Sequence, residues 1–223
     1  MLDRGPIYFE TLLYLKGGSQ HWLVEPWNGL SAVLFILLAL YWAVRLKGHI
    51  QQEIFFTYAV VLLFVGGIGG TLYHALRSNV IYLLMDWVPI VLLTMGAVCW
   101  FCHKLVKKWW LATVIAVGGF ILVLLMCSLL FLISVKQIGV NLAYVLLGVY
   151  VLTPIFIFLK RTNFQDAALV YAALLSFLLA VLCRFVDHQA WLPMGTHFLW
   201  HVFGAVAVHA LLLFIWKGRK RSC

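Results

Sequence analysis

The chain has 223 residues, of which 65% are hydrophobic and only 10% charged, with 16 Lys and Arg against 7 Asp and Glu. Water-soluble domains carry about 25% charged and about 45–50% apolar residues, so this composition excludes an ordinary soluble globule. The formal charge of +9 does not point to nucleic acid, because the basic residues sit at the ends of apolar runs, where membrane topology accounts for them.

Residues 1–26 hold Asp3, Glu10 and Glu25 and lack a cleavable apolar core, so they read as an N-terminal arm, with a short interfacial helix around Ile7–Leu15. Seven apolar runs follow, at 27–44, 54–75, 80–101, 109–133, 140–159, 167–185 and 193–216. Each matches the roughly 20 residues that cross a bilayer core about 30 Å thick as a helix. None shows the alternation of a barrel strand, and each is about twice a strand's length. The expected fold is an all-α integral membrane protein, a seven-transmembrane helix bundle. It consists of the arm 1–26, a spanning domain at 27–216 and a basic tail at 217–223. The five cysteines are odd in number and lie mostly inside apolar runs, and Cys99-x-x-Cys102 has no βαβ pattern around it, so neither a disulfide framework nor a redox motif is expected.

Lys and Arg divide unequally between the two sides. The arm and the loops after the second, fourth and sixth runs hold Arg4, Lys16, Arg77, Lys136 and Arg184, whereas the other eleven lie on the opposite side. The excess places the C-terminus in the cytoplasm and the N-terminus in a periplasmic, luminal or extracellular space.

An ionisable group inside a bilayer costs about 2.5–3.5 kcal/mol on insertion scales, so the few that persist call for a reason. His74, Asp86, His197 and His201 are such groups, and because successive spans run in opposite directions all four fall in the half of the membrane facing the N-terminal side. With 1.5 Å of rise per residue, their depths agree within about 10 Å. His197-Phe198-Leu199-Trp200-His201 is an HxxxH, which sets two imidazoles on one helix face a turn apart. With His74 from a neighbouring helix as third ligand, a metal ion would keep a fourth position for water, the arrangement of catalytic zinc. Asp86 is either a general acid/base or a partner orienting one ligand histidine, with pairing to Arg77 as the bland alternative. His209 lies two turns deeper and reads as a packing residue, and His21, His49, His103 and His188 fall in loops or at span ends. The run Gly66-Gly67-Ile68-Gly69-Gly70 ends one turn before His74 and would let helices approach closely, against the last span, or admit a lipid chain.

Gly67-Ile68-Gly69-Gly70-Thr71-Leu72-Tyr73-His74 and the following Asp86-Trp87-Val88-Pro89 resemble the second and third spans of the alkaline ceramidases and the wider CREST superfamily, which also contains the adiponectin-type receptors. Leu192 to His201 (LPMGTHFLWH) resembles the family's last-span motif, Glu25 to Ser31 (EPWNGLS) its first span, and Arg184-Phe185-Val186-Asp187 the end of its sixth. The resemblance implies a zinc-dependent hydrolase of ceramide-like N-acyl lipids, with His74, His197 and His201 as zinc ligands and Asp86 as the proton carrier. It also implies a calcium ion near the arm, with Glu25 as one ligand and only Glu10 and Asp3 upstream to help. The family has a serine where Gly70 stands. Thr71 beside it is the hydroxyl that would replace it, although a helix turns its side chain about 100° away from position 70. The other readings are a zinc-containing receptor or sensor of the same superfamily, and, less well matched, a transporter or haem protein. The partners expected are the lipid bilayer and the lipid substrate, with no nucleic acid, and oligomeric state is left open.

Overall fold

The computed structural model describes residues 5–17, 22–133 and 136–221, with the side chains of 130–145 outside that description; Asp3 and His21 lie outside the described residues. The elements are α1 (Phe9–Lys16), α2 (Pro26–Arg45), α3 (Ile54–Leu76), α4 (Val80–Val106), α5 (Trp109–Ile133), α6 (Lys136–Arg161), α7 (Ala167–Phe185), a short 3-10 turn at Asp187–Gln189, and α8 (His197–Gly218). There is no strand among the described residues. Six helices, α2, α3, α4, α5, α7 and α8, are long and apolar enough to cross a membrane. The chain is therefore an integral, multi-pass membrane protein. The predicted run at 140–159 falls in α6, part of which lies outside the residues whose side chains are described.

Helix α8 begins at His197 and not at 193. Pro193 lacks the amide N–H a helix interior needs, and Gly195 turns the chain at φ +77. A Cβ at Gly195 would lie 2.5 Å from Asp187 Oδ1 and 2.8 Å from Phe9 Cβ, so this turn also admits the arm and a buried carboxylate.

The fold groups into two compact units, Met1–Leu92 with Asp166–Arg219, and Leu93–Gln165 with Lys220–Cys223. In the first unit α2 packs on α3 and α8, and α7 packs on α8. The glycine run of α3 makes the close contacts, but against α2 and the first turns of α4 and not against the last span. A Cβ on Gly67 would sit 2.6 Å from Ile36 Cγ1, and one on Gly69 would collide with the Met85 backbone. In the second unit α5 packs on α6, around Val98 and Cys102 of α4 and Ala112 and Ala116 of α5. Tyr150 of α6 closes this core by donating its hydroxyl to the Ala116 carbonyl at 2.7 Å. Everything that bears on the histidine motif lies in the first unit.

Candidate metal centre

His74 closes the last turn of α3, and His197 and His201 open α8. Antiparallel neighbours bring these ends to one level, and the three rings converge. Ring centroids are 5.2 Å apart for His74 and His197, 5.0 Å for His74 and His201, and 5.0 Å for His197 and His201. One ligand nitrogen from each lies within 4.8 Å of the other two, and all three side chains are buried. Such spacing suits a single ion bound at about 2.0–2.1 Å from each nitrogen.

The surroundings fix the tautomers of two rings. Nδ1–H of His74 donates to Glu25 Oε2 at 2.5 Å, which leaves Nε2 as the lone-pair nitrogen, and that atom is buried without a hydrogen-bond partner. Ser31 donates its hydroxyl to the Asn28 carbonyl at 3.0 Å, so its contact with His201 Nδ1 at 2.8 Å is one in which the imidazole donates. His201 is thus left with a lone pair on Nε2. Nδ1 of His197 is buried and unpartnered too, and either nitrogen of this ring is open to an ion. Buried polar atoms without partners are uncommon in folded proteins and call for an explanation. A shared cation meets that need, so the donor set fits a divalent metal.

Glu25 stands behind the centre, not in it. Its Oε1 accepts from Arg77 Nη1 at 2.6 Å and from the Thr11 hydroxyl, while Oε2 accepts from Asn28 Nδ2 at 3.1 Å and from His74. These four bonds occupy the lone-pair positions a carboxylate offers, so calcium could bind here only by displacing one of them. Burial alone would push the Glu25 carboxyl up, but the His74 bond, the Thr11 hydroxyl and the Arg77 guanidinium outweigh it and hold the group below the usual carboxylate range. Arg77 ends α3 in the left-handed region, at φ 47, which swings its side chain back toward Glu25. It also donates to the Pro6 carbonyl at 2.8 Å and to Thr11 Oγ1 at 3.1 Å. Arg77 therefore pairs with Glu25, not with Asp86.

Asp86 lies across from Gly70. A Cβ at position 70 would come within 2.6 Å of Asp86 Oδ1 and 3.2 Å of Ala32 Cβ. The place a serine side chain would take is filled by the carboxylate. Asp86 is also within electrostatic reach of His74, Arg184 and Glu25. Thr71, expected to supply the absent hydroxyl, buries its Oγ1 without a hydrogen bond to any histidine.

Two further carboxylates tie the arm to α2 and α8 around the cluster. Glu10, in α1, accepts from the N–H groups of Trp27 at 3.0 Å and Asn28 at 2.8 Å in the first turn of α2. Burial pushes its carboxyl up to about 7, although these two N–H bonds pull the other way. Asp187 Oδ1 accepts from the N–H groups of Thr196 at 2.7 Å and His197 at 2.8 Å, capping α8, and its Oδ2 accepts from Phe9 N–H at 2.8 Å. A carboxylate at a helix N-terminus satisfies orphan donors and complements the dipole. The arm, α2 and α8 are thus tied together around the cluster.

The sequence named His74, Asp86, His197 and His201, and the fold brings them to one end of the first unit. It gave no role to Ser31, Tyr8 or Asp187. Ser31 lies three residues after the carbonyl it bonds, a common helical back-bond, which left no signal of its bond to α8. Asp187 precedes an apolar run as a capping acid does, but ten residues too early for a local cap. No family model matches the sequence, and no curated protein or solved structure shows significant similarity to it.

Proposed function

We propose that the chain is a zinc-dependent intramembrane amidase that cleaves the amide of ceramide-like N-acyl lipids into a fatty acid and a sphingoid-type amine. The observation that carries the reading is three buried imidazoles with ligand nitrogens within 4.8 Å of one another, two of them held in the ligating tautomer. Zinc bound to such a set supplies Lewis acidity and lowers the pKa of a coordinated water to about 7. In the same proposal α6 is the fifth of seven crossings, the C-terminus lies in the cytoplasm and the N-terminus on the outer or luminal side.

The chain's own residues divide the remaining work. Glu25 and Ser31 keep Nε2 of His74 and His201 directed at the ion. Asp86 takes a proton at its carboxylate from the attacking water and delivers it to the leaving nitrogen as the C–N bond breaks and the C–O bond forms. General acid/base groups of this kind contribute about 10²–10⁴-fold in rate. Exposed apolar side chains such as Trp87 and Trp27 face lipid, the phase from which a two-chain substrate would approach.

The closing test is fatty acid release from a panel of N-acyl lipids by purified protein. Wild type turns over, while His197→Ala and Asp86→Asn lose at least a hundredfold; equal turnover in all three eliminates the mechanism. Gly70 in place of the family's serine favours a second reading, a zinc-containing receptor or sensor. Stoichiometric zinc with no release from any lipid in the panel would select it.

A further inference from the structure

We propose that Tyr8 is a positioning residue of the histidine centre: carried on the docked N-terminal arm, its ring orients His197 as Glu25 orients His74 and Ser31 orients His201. The inference rests on the three histidines binding a metal.

A ligating imidazole needs a fixed ring plane, and proteins usually supply it by a hydrogen bond to the ring nitrogen that does not bind. His74 and His201 have such bonds. Nδ1 of His197 has no such bond, so with Nε2 as its ligand atom nothing polar fixes this ring. What it has is Tyr8, stacked on it with centroids 3.7 Å apart and planes 21° from parallel. The same tyrosine approaches His74 at 5.4 Å, and its side chain is buried. The Arg184 guanidinium also lies 5.9 Å from the ring centroid.

The stack is clamped from both partners. Asp187 holds the Phe9 N–H, next to Tyr8, through one oxygen and the His197 N–H through the other, both at 2.8 Å. A single carboxylate thus sets the spacing between the arm and the first turn of α8. Residues on either side of Tyr8 are also tied down. Arg77 donates to the Pro6 carbonyl, and Thr11 receives the Tyr8 N–H at 3.1 Å while bonding Glu25. The two segments are 178 positions apart in sequence, so this geometry is built, not a by-product of local chain direction. The arm thus completes the centre with a ring stacked on one of its histidines.

The test uses the full chain in detergent, stripped of metal and titrated with Co²⁺, whose visible bands report ligand geometry. The variants are Tyr8→Phe, which keeps the flat ring, and Tyr8→Leu with Tyr8→Met, which remove it; Tyr14→Leu on the same arm helix is the control. Tyr8→Phe and Tyr14→Leu should bind cobalt with the wild-type spectrum and affinity. Tyr8→Leu should bind about tenfold more weakly, with shifted bands, and Tyr8→Met should agree with it or stand in if Tyr8→Leu does not fold. Wild-type bands and affinity in either ring-less variant would overturn the proposal, as would equal loss in Tyr8→Phe. A wild-type protein that takes up no cobalt would instead overturn the metal reading and this inference with it.

Discussion

The two ends of the first unit each set a histidine of α8 among aromatic rings, and they do so differently. At one end His197 and His201 meet His74. About 12 Å further along the same helix, His209 lies 5.3 Å from the Tyr41 ring and 6.0 Å from Trp42, beside Trp216 and Phe56. His209 also buries an Nδ1 without a hydrogen-bond partner. Its neighbourhood, however, supplies cations and π-faces: Arg45 sits over the rings of Trp42 and Trp216, and Arg219 stacks on Trp216 at 3.5 Å while pairing with Glu53. No second imidazole converges there among the described residues. His209, half-buried and alone, is therefore a packing residue. What makes the other end a candidate centre is convergence together with a hydrogen-bond acceptor behind the rings.

That contrast can be broken most sharply at Glu25. Removing its charge in Glu25→Gln takes from buried Arg77 the carboxylate it pairs with, a change worth about 3–5 kcal/mol, and releases the His74 tautomer. The expected outcome is a lower melting temperature together with a 10–100-fold loss of metal affinity, read by thermal unfolding and by metal titration of the same sample. A stability loss with unchanged metal affinity would separate the carboxylate from the centre.

Gly70→Ser sharpens the comparison next. The serine Cβ needs space now held by Asp86 Oδ1, so the carboxylate must swing away. Lipid turnover should fall by about tenfold or more, within the range a displaced acid/base group forfeits, with zinc content unchanged. Higher turnover would mean that the hydroxyl is what the site lacks.

A smaller effect is expected from Glu10, which feels the charges of Glu25 and His74. Its carboxyl titrates at about 7 in the folded chain against 4.5 ordinarily. The folded state holds this proton more tightly than the unfolded one, so stability falls as pH rises from 4.5 through 7. Melting temperatures across that window should show the slope in wild type and a shallower one in Glu10→Gln; parallel curves would contradict the assignment. The smallest effect belongs to His209→Phe. A ring of similar volume without a buried polar atom should change stability by less than about 1.5 kcal/mol and leave metal content at the wild-type value.

How much of this was legible beforehand follows from the range of the forces involved. Apolar runs bounded by charge mark the helices, because bilayer thickness fixes their length, and the HxxxH places His197 and His201 on one face by helix geometry alone. His74 and Asp86 were found by depth, a one-dimensional property that survives in sequence. Tyr8, Ser31 and Asp187 act across 100 or more positions, through bonds whose partners no local pattern specifies. Glu25 stands out through its motif as a calcium ligand; the fold adds that its oxygens serve His74 and Arg77. The start of α8 moved by four residues because Pro193 and Gly195 favour a turn that the apolar count does not register.

The most direct test is X-ray absorption on purified, chelator-free protein, with metal content measured in parallel. About one zinc per chain with three imidazole nitrogens at about 2.0–2.1 Å, lost in His201→Ala and kept in His209→Phe, is the predicted result. No bound metal, or zinc retained in full by His201→Ala, would contradict it.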